Sequence, residues 1–173
     1  MEKKQESISI TGVSKVVEMT NIDINLLSEF IAKAKRSTFA EGSNKVESSR
    51  NNSIDFLFQE GDLTYRDSYF GSIYDIGQEI VWKKNTPVWG MNYMGGMNKD
   101  YKYLTSETFE FLKKCLKMVK PSLPFRGPEY FKEKNFEYVN KVDGDITRFS
   151  GYEKIFYNGI EIYQRVYHGG LIL

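Results

Sequence analysis

The 173-residue chain predicts one α+β domain, built on a bent antiparallel sheet of about seven or eight hairpin strands with two α-helices. Three observations predict it. Aromatic residues make up 15% of the chain, with 12 Tyr and 12 Phe, and aromatics favour strands. Short runs of alternating apolar and polar residues, separated by turn residues, fill the middle and the C-terminal third. Two segments repeat apolar residues at helical spacing. The domain is expected to span 1–173, with 1–22 a weakly patterned extension in which Ile8 and Ile10 alternate with Ser7, Ser9 and Thr11 as in a short strand.

The first helix is signalled by Asp23, whose carboxylate can accept from the free N–H groups of a first turn. Leu26, Leu27, Phe30, Ile31 and Ala34 then form one apolar face. Lys33, Lys35 and Arg36 fall in the last turn, where cations complement the helix dipole. Residues 41–53 read as a Gly/Ser/Asn-rich loop, long enough to be functional. Two hairpins follow. Residues 54–59 and 63–70 flank Glu60-Gly61-Asp62, and residues 78–83 and 88–93 flank Lys84-Asn85-Thr86-Pro87. The second turn, read as four residues, places Trp82 opposite Trp89, on one face with Ile80, Met91 and Tyr93. A second helix is expected from Thr105 as cap, with Phe109, Leu112, Leu116 and Val119 buried, Cys115 beside them, and Pro121 and Pro124 stopping it. Strands at 135–142, 146–157 and 160–173 close the chain. Asn158-Gly159 between the last two is a strong hairpin signal, because both residues tolerate the positive φ of a type I′ turn. The sequence shows no internal repeat, low-complexity tract or linker.

Composition excludes several function classes. Lys+Arg number 24 against Asp+Glu 23, so no global field gathers polyanions, which argues against direct nucleic-acid binding. One Cys and one His can build neither an internal disulfide nor a structural zinc site, and no metal or other cofactor is expected. No apolar run approaches bilayer length and no signal-peptide core follows Met1, so a cytoplasmic protein without membrane contact is expected.

Several segments resemble one bacterial family. They include residues 34–40, Ser48-Ser49-Arg50, Glu60-Gly61-Asp62, residues 65–71, Val81-Trp82 and Trp89-Gly90-Met91-Asn92-Tyr93. Pro124-Phe125-Arg126-Gly127-Pro128, Gly151-Tyr152-Glu153 and His168-Gly169-Gly170 complete the set. The family is a domain of unknown function, often found C-terminal to a helix-turn-helix of the xenobiotic-response-element regulator type. The resemblance runs from about Leu26 to the C-terminus and implies the non-DNA-binding half of a regulator. The residues ahead of it are too few for a helix-turn-helix, so DNA binding is not expected of this chain.

Each candidate site residue has a structural reading beside the functional one. Arg126 sits between two prolines that restrain its loop, and a guanidinium is the natural fork for a carboxylate or phosphate. An internal ion pair is the commoner use. Tyr65, Asp67 and Tyr69 share a strand face. Asp is disfavoured in strands, so Asp67 is read as a general base or ligand acceptor, against an edge-strand charge or an arginine partner. His168 titrates near neutrality and precedes two glycines. The Asn158-Gly159 register puts it opposite Phe149, away from Glu153, and a lone strand histidine is more often structural. Cys115 reads as a small buried hydrophobe. Residues 90–97 lack the Lys-Ser/Thr of a phosphate loop. Trp82, Trp89 and Tyr93 are expected to wall an aromatic cleft with Asn92, Asp67, Arg126 and His168 as polar contacts, and Tyr65 beside them. The leading expectation is an accessory or regulatory domain binding a small molecule or peptide. Its rivals are an enzyme using Asp67 or His168 as acid/base with Arg126 as anion clamp, and a module meeting a protein partner through a sheet edge.

Overall fold

A computed structural model describes residues 22–40 and 44–172 of the chain. The strand expected near Ile8 and Ile10 lies outside them. Helix α1 (Ile24–Lys35) is capped as expected, Asp23 Oδ1 accepting from the N–H groups of Asn25 at 2.7 Å and Leu26 at 3.1 Å. A π-helical turn (Arg36–Ala40) extends it. Five strands follow: β1 (Lys45–Val46), β2 (Ile54–Glu60), β3 (Leu63–Gly71), β4 (Tyr74–Lys83) and β5 (Thr86–Met97). A 3₁₀ turn (Lys99–Leu104) leads into α2 (Thr105–Lys117), then β6 (Tyr130–Glu133), β7 (Phe136–Asp145), β8 (Arg148–Tyr157) and β9 (Ile160–Leu171).

The described strands form one open antiparallel sheet in the order β1-β2-β3-β4-β5-β9-β8-β7-β6. It has nine strands rather than seven or eight, because two very short strands, β1 and β6, carry too little alternation to be read from sequence. Both helices lie on one face of the sheet. Leu27, Phe30, Ile31 and Ala34 of α1 pack on Tyr65, Val81, Trp89 and Met91. Phe111, Leu112, Cys115 and Leu116 of α2 pack on Tyr138, Ile155, Ile162 and Tyr163. Thr105 is the first residue of α2 and not its cap, and its hydroxyl donates to Lys102 O at 2.6 Å. No helix among the described residues is long and apolar enough to cross a membrane.

The β4–β5 register differs from expectation. Lys84-Asn85 alone make the turn, so Lys83 pairs with Thr86 and Trp82 with Pro87. A bulge then resets the register and Val81 pairs with Trp89. The two indoles therefore sit on opposite faces. Trp89 is fully buried beneath the helices and Trp82 is half-buried on the outer face. The same kind of slip occurs at Ile155/Phe156, which puts His168 opposite Ser150 rather than Phe149.

These twin bulges disclose an internal repeat that the sequence reading missed. Adding 74 to the residue numbers converts β4 into β8 and β5 into β9, end to end, and carries the Val81/Trp82 bulge onto Ile155/Phe156. Adding 73 converts the start of β3 into the start of β7. Tyr65 then matches Tyr138, Gly77 matches Gly151, Glu79 matches Glu153, and Tyr93-Met94-Gly95-Gly96 matches Tyr167-His168-Gly169-Gly170. Turn conformations match as well: φ is 48° at Lys84 and 50° at Asn158, 100° at Gly71 and 91° at Gly144. Apart from β1, which has no counterpart, the strand order is palindromic under this match, with a pseudo-two-fold axis between Tyr93 and Tyr167, which face each other across β5 and β9.

Candidate functional site

The inner face of this duplicated sheet buries an unusual set of ions. Lys35, Asp67, Asp75, Glu79, Arg126, Glu153 and Arg165 all lie under the helices and are almost wholly withdrawn from solvent. Buried charge is costly unless paired, so each partner matters.

In the second half the pairing is dense. Glu153 on β8 meets Arg126 Nη2 at 2.7 Å and accepts from Tyr138 OH at 2.7 Å and Tyr163 OH at 3.0 Å. Arg165, facing it from β9, donates from Nη2 to both Asp75 oxygens at 2.6 Å, and its Nη1 stands 3.9 Å from Glu153. Asn140, opposite Glu153 on β7, donates to Gly127 O at 2.9 Å and accepts from Tyr167 OH at 2.5 Å. Tyr138 OH also receives the Gly127 N–H at 3.0 Å, which pins the proline-flanked loop that carries Arg126. Burial alone would raise the Glu153 carboxyl, but Arg126 and Arg165 hold it below the ordinary carboxylate range.

The first half repeats the frame with different occupants. Tyr93 leans over Gly77 and donates to Asp67 Oδ1 at 2.7 Å, as Tyr167 leans over Gly151 toward Asn140. A Cβ at Gly77 would lie 2.3 Å from the Tyr93 hydroxyl, so only glycine leaves room for that reach. Asp67 is directly opposite Glu79, which makes a buried carboxylate pair where the second half has an amide and an acid. Met91 stands where Arg165 stands in the repeat, and Trp89, which donates to Ile146 O at 3.1 Å, where Tyr163 stands. One cation reaches in from α1. Lys35 Nζ lies 2.6 Å from Glu79 Oε2 and donates to Phe125 O at 2.5 Å. Lys35 thus does more than complement the helix dipole. Its contact with Glu79 Oε2 is not an oriented hydrogen bond, and that oxygen has no hydrogen-bond partner among the described residues. Tyr65 stands beside Glu79 in the same interior. Burial, then the charge of Glu79, pushes the Asp67 carboxyl up to about 7, with Tyr93 and Lys35 opposing. A cavity of about 20 Å³ opens among Lys35, Tyr65, Glu79 and Arg126, with Leu116 and Phe125 as apolar walls, which is room for one water-sized group.

Of the residues expected to form one site, Tyr65, Asp67, Trp89, Tyr93 and Arg126 share this interior. Trp82, Asn92 and His168 point to the other face, where Asn92 Oδ1 accepts from Gln78 at 3.0 Å and His168 is exposed. No aromatic cleft forms, because Trp89 is stacked on Phe149 at 5.8 Å within the core. Arg126 is held in its ion pair, and Asp67 lies on an interior strand, not an edge. Cys115 is buried and its thiol is pushed up by burial, so it is no nucleophile. Lys35 and Glu79 were missed. Lys35 follows the helical charge pattern of its neighbours, and only the match of Gly77-Gln78-Glu79 to Gly151-Tyr152-Glu153 marks Glu79 in the sequence. Among the described residues no cluster of His, Cys, Asp and Glu could hold a metal ion.

The family model for a domain of unknown function (DUF5680) matches residues 67–172. No curated protein and no solved structure is significantly similar to the chain. The match begins at Asp67 and takes in both carboxylates of the pair and the entire second repeat, and the chain belongs to this family of domains of unknown function, DUF5680.

Proposed function

We propose that this is a ligand-binding accessory domain whose interior site takes a small cation, of the primary-ammonium class, between Asp67 and Glu79. One observation carries the reading: the two halves share a frame, but the first is one positive charge short. Arg126 and Arg165 pair with Glu153 and with Asp75 of β4, whereas Lys35 is the one cation paired directly with the Asp67–Glu79 couple, with Arg126 across the small cavity. The shortfall is met by a proton on Asp67, and a bound ammonium group would replace it. The small cavity beside Glu79, on the side of Lys35 and Arg126, has room for one group of that size. Scaffold needs do not account for the pair, since the second half meets the same needs with Asn140.

Thermal unfolding at pH 8, where Asp67 loses its proton, tests this. Ammonium and short alkylammonium chlorides should raise Tm in a saturable way over matched sodium chloride, and Asp67→Asn should abolish the rise. Equal shifts in wild type and variant, or none in either, would sink the reading. The titration of Asp67 near neutrality also supports a second reading, general-base attack on a ligand held there, because a base works best with its pKa near the working pH. Chemical change of the bound amine, lost in Asp67→Asn, would distinguish catalysis from binding.

A further inference from the structure

The outer face of the sheet, which neither helix covers, carries a row of apolar side chains. Phe70, Ile76, Met94, Val166 and Tyr152 follow one another across β3, β4, β5, β9 and β8, each the cross-strand partner of the next. Ile76 is 55% exposed, Met94 46% and Val166 52%, and Tyr74 beside them on β4 is 56% exposed. The next row is polar: Ser68, Gln78, Asn92, His168 and Ser150. The repeat shows that the frame does not need the apolar row. Its match carries Ile76 onto Ser150 and Met94 onto His168, and Gln78 onto Tyr152 and Asn92 onto Val166. Each of these apolar positions therefore has a polar counterpart at the same place in the other half. Yet the apolar ones, two from each half, line up in one row that crosses the seam between β5 and β9 unbroken. Apolar area concentrated in this way on an exposed face marks an interaction surface.

Size and charge say what fits. Five strands about 4.8 Å apart and about 33 Å long present about 800 Å², which is one partner's share of a standard stable interface. The middle of the face, from Ile76 to Val166 and from Gln78 to His168, bears no Lys, Arg, Asp or Glu. A nucleic acid or an anionic membrane would find no cation there to hold it. We infer that the outer face binds a second copy of this chain, sheet on sheet, about a two-fold axis parallel to β5 and β9 and running between them. That axis lays β5 over β9 of the other copy, and β4 over its β8. Met94 of one copy then meets Val166 of the other, Ile76 meets Tyr152 and Asn92 meets His168, so apolar row falls on apolar row and polar on polar. At the rim Ser68, whose hydroxyl accepts from Arg50 Nη2 at 2.8 Å, meets Asp143, which brings opposite charges together twice. The face is thus complementary to itself, as an isologous interface requires. The interior cation site lies on the opposite face of the sheet, and the inference does not rest on it.

Sedimentation velocity of the full chain should find a dimer, and Tm should rise with protein concentration. The double change Ile76→Ser, Val166→Asn copies at each position what the other half of the frame carries. It should raise the dimer dissociation constant at least about tenfold and remove the concentration dependence of Tm, with the far-UV circular dichroism unchanged. Charge exchange tests the axis. Met94→Lys and Val166→Asp each put two unpaired charges into the interface of their own dimer, so each variant alone should be monomeric. Mixed in equal amounts they should form a heterodimer, because the introduced ammonium of one meets the introduced carboxylate of the other. A wild type that stays monomeric, a dimer that survives the double change, or a mixture no more associated than its components would overturn the inference. None of these outcomes bears on the interior site, which Asp67→Asn tests separately.

Discussion

The Glu79 end and the Glu153 end of the inner face are the same frame furnished twice. Each has a tyrosine reaching over a glycine, a glutamate in the middle strand and a second tyrosine two residues along the neighbouring strand. Around Glu153 the neighbours are two arginines, two tyrosine hydroxyls and an amide bonded on both sides. Around Glu79 they are one lysine, a thioether, an indole turned elsewhere and a second acid. The lesson is that burying charge under two helices does not require the imbalance of the first half. An identical fold carries a balanced version a few strands away, and the imbalance is therefore the feature to test.

The sharpest way to break the comparison is to unbalance the second half. Arg126→Met leaves Glu153 buried with only the more distant Arg165, and should cost about 3–5 kcal/mol in urea unfolding. Trp89→Ala, in the core, should cost a similar amount, about 3–5 kcal/mol, whereas Trp82→Ala on the outer face should cost much less. Equal losses would contradict the bulge that separates the two indoles.

The next effect is one of pH. The folded protein holds the Asp67 proton more tightly than the unfolded chain, whose carboxyl titrates near 3.8. Stability from this group is thus fully present below about 4 and lost as the pH rises through about 7. Glu153 runs the other way, since its lowered carboxyl contributes above the ordinary carboxylate range and is lost in acid. Asp67→Asn, which copies Asn140, should flatten the decline toward pH 8 and make the variant more stable than wild type there by about 2–4 kcal/mol. Denaturant unfolding at pH 5 and pH 8 measures it, and a variant with unchanged pH dependence would place the proton elsewhere. The smallest effect is none: chelators and reductants should leave Tm unchanged, because one buried Cys and one exposed His build no disulfide or zinc site.

The fold class, both helices and the Asp23 cap were legible in the sequence, because periodicity and capping are local. The registers were not. A bulge after Val81 depends on how Trp89 packs under α1, which no turn residue announces, and it moved Trp82 to the outer face. A second bulge before Phe156 did the same for the position opposite His168. The repeat escaped because most matched positions differ in type, with Met91 against Arg165 and Asp67 against Asn140. Its anchors are glycines and tyrosines scattered at strand spacing. Of the site, Asp67 was legible as an acid out of place in a strand, and Arg126 through its prolines. Lys35 was hidden by a plausible surface role.

The pairing of Tyr93 with Tyr167 has a consequence for how such a molecule could have arisen. A residue that faces its own counterpart across a two-fold axis is what an exchange-symmetric dimer presents at its seam. One helix with its four-strand meander, meeting a copy of itself edge to edge through β5, would reproduce the order β2-β3-β4-β5-β9-β8-β7-β6 without any connecting chain. In such a homodimer both glutamates must keep identical company. A single polypeptide carries no such constraint, so one half can hold a neutralised interior while the other carries one cation and a second acid.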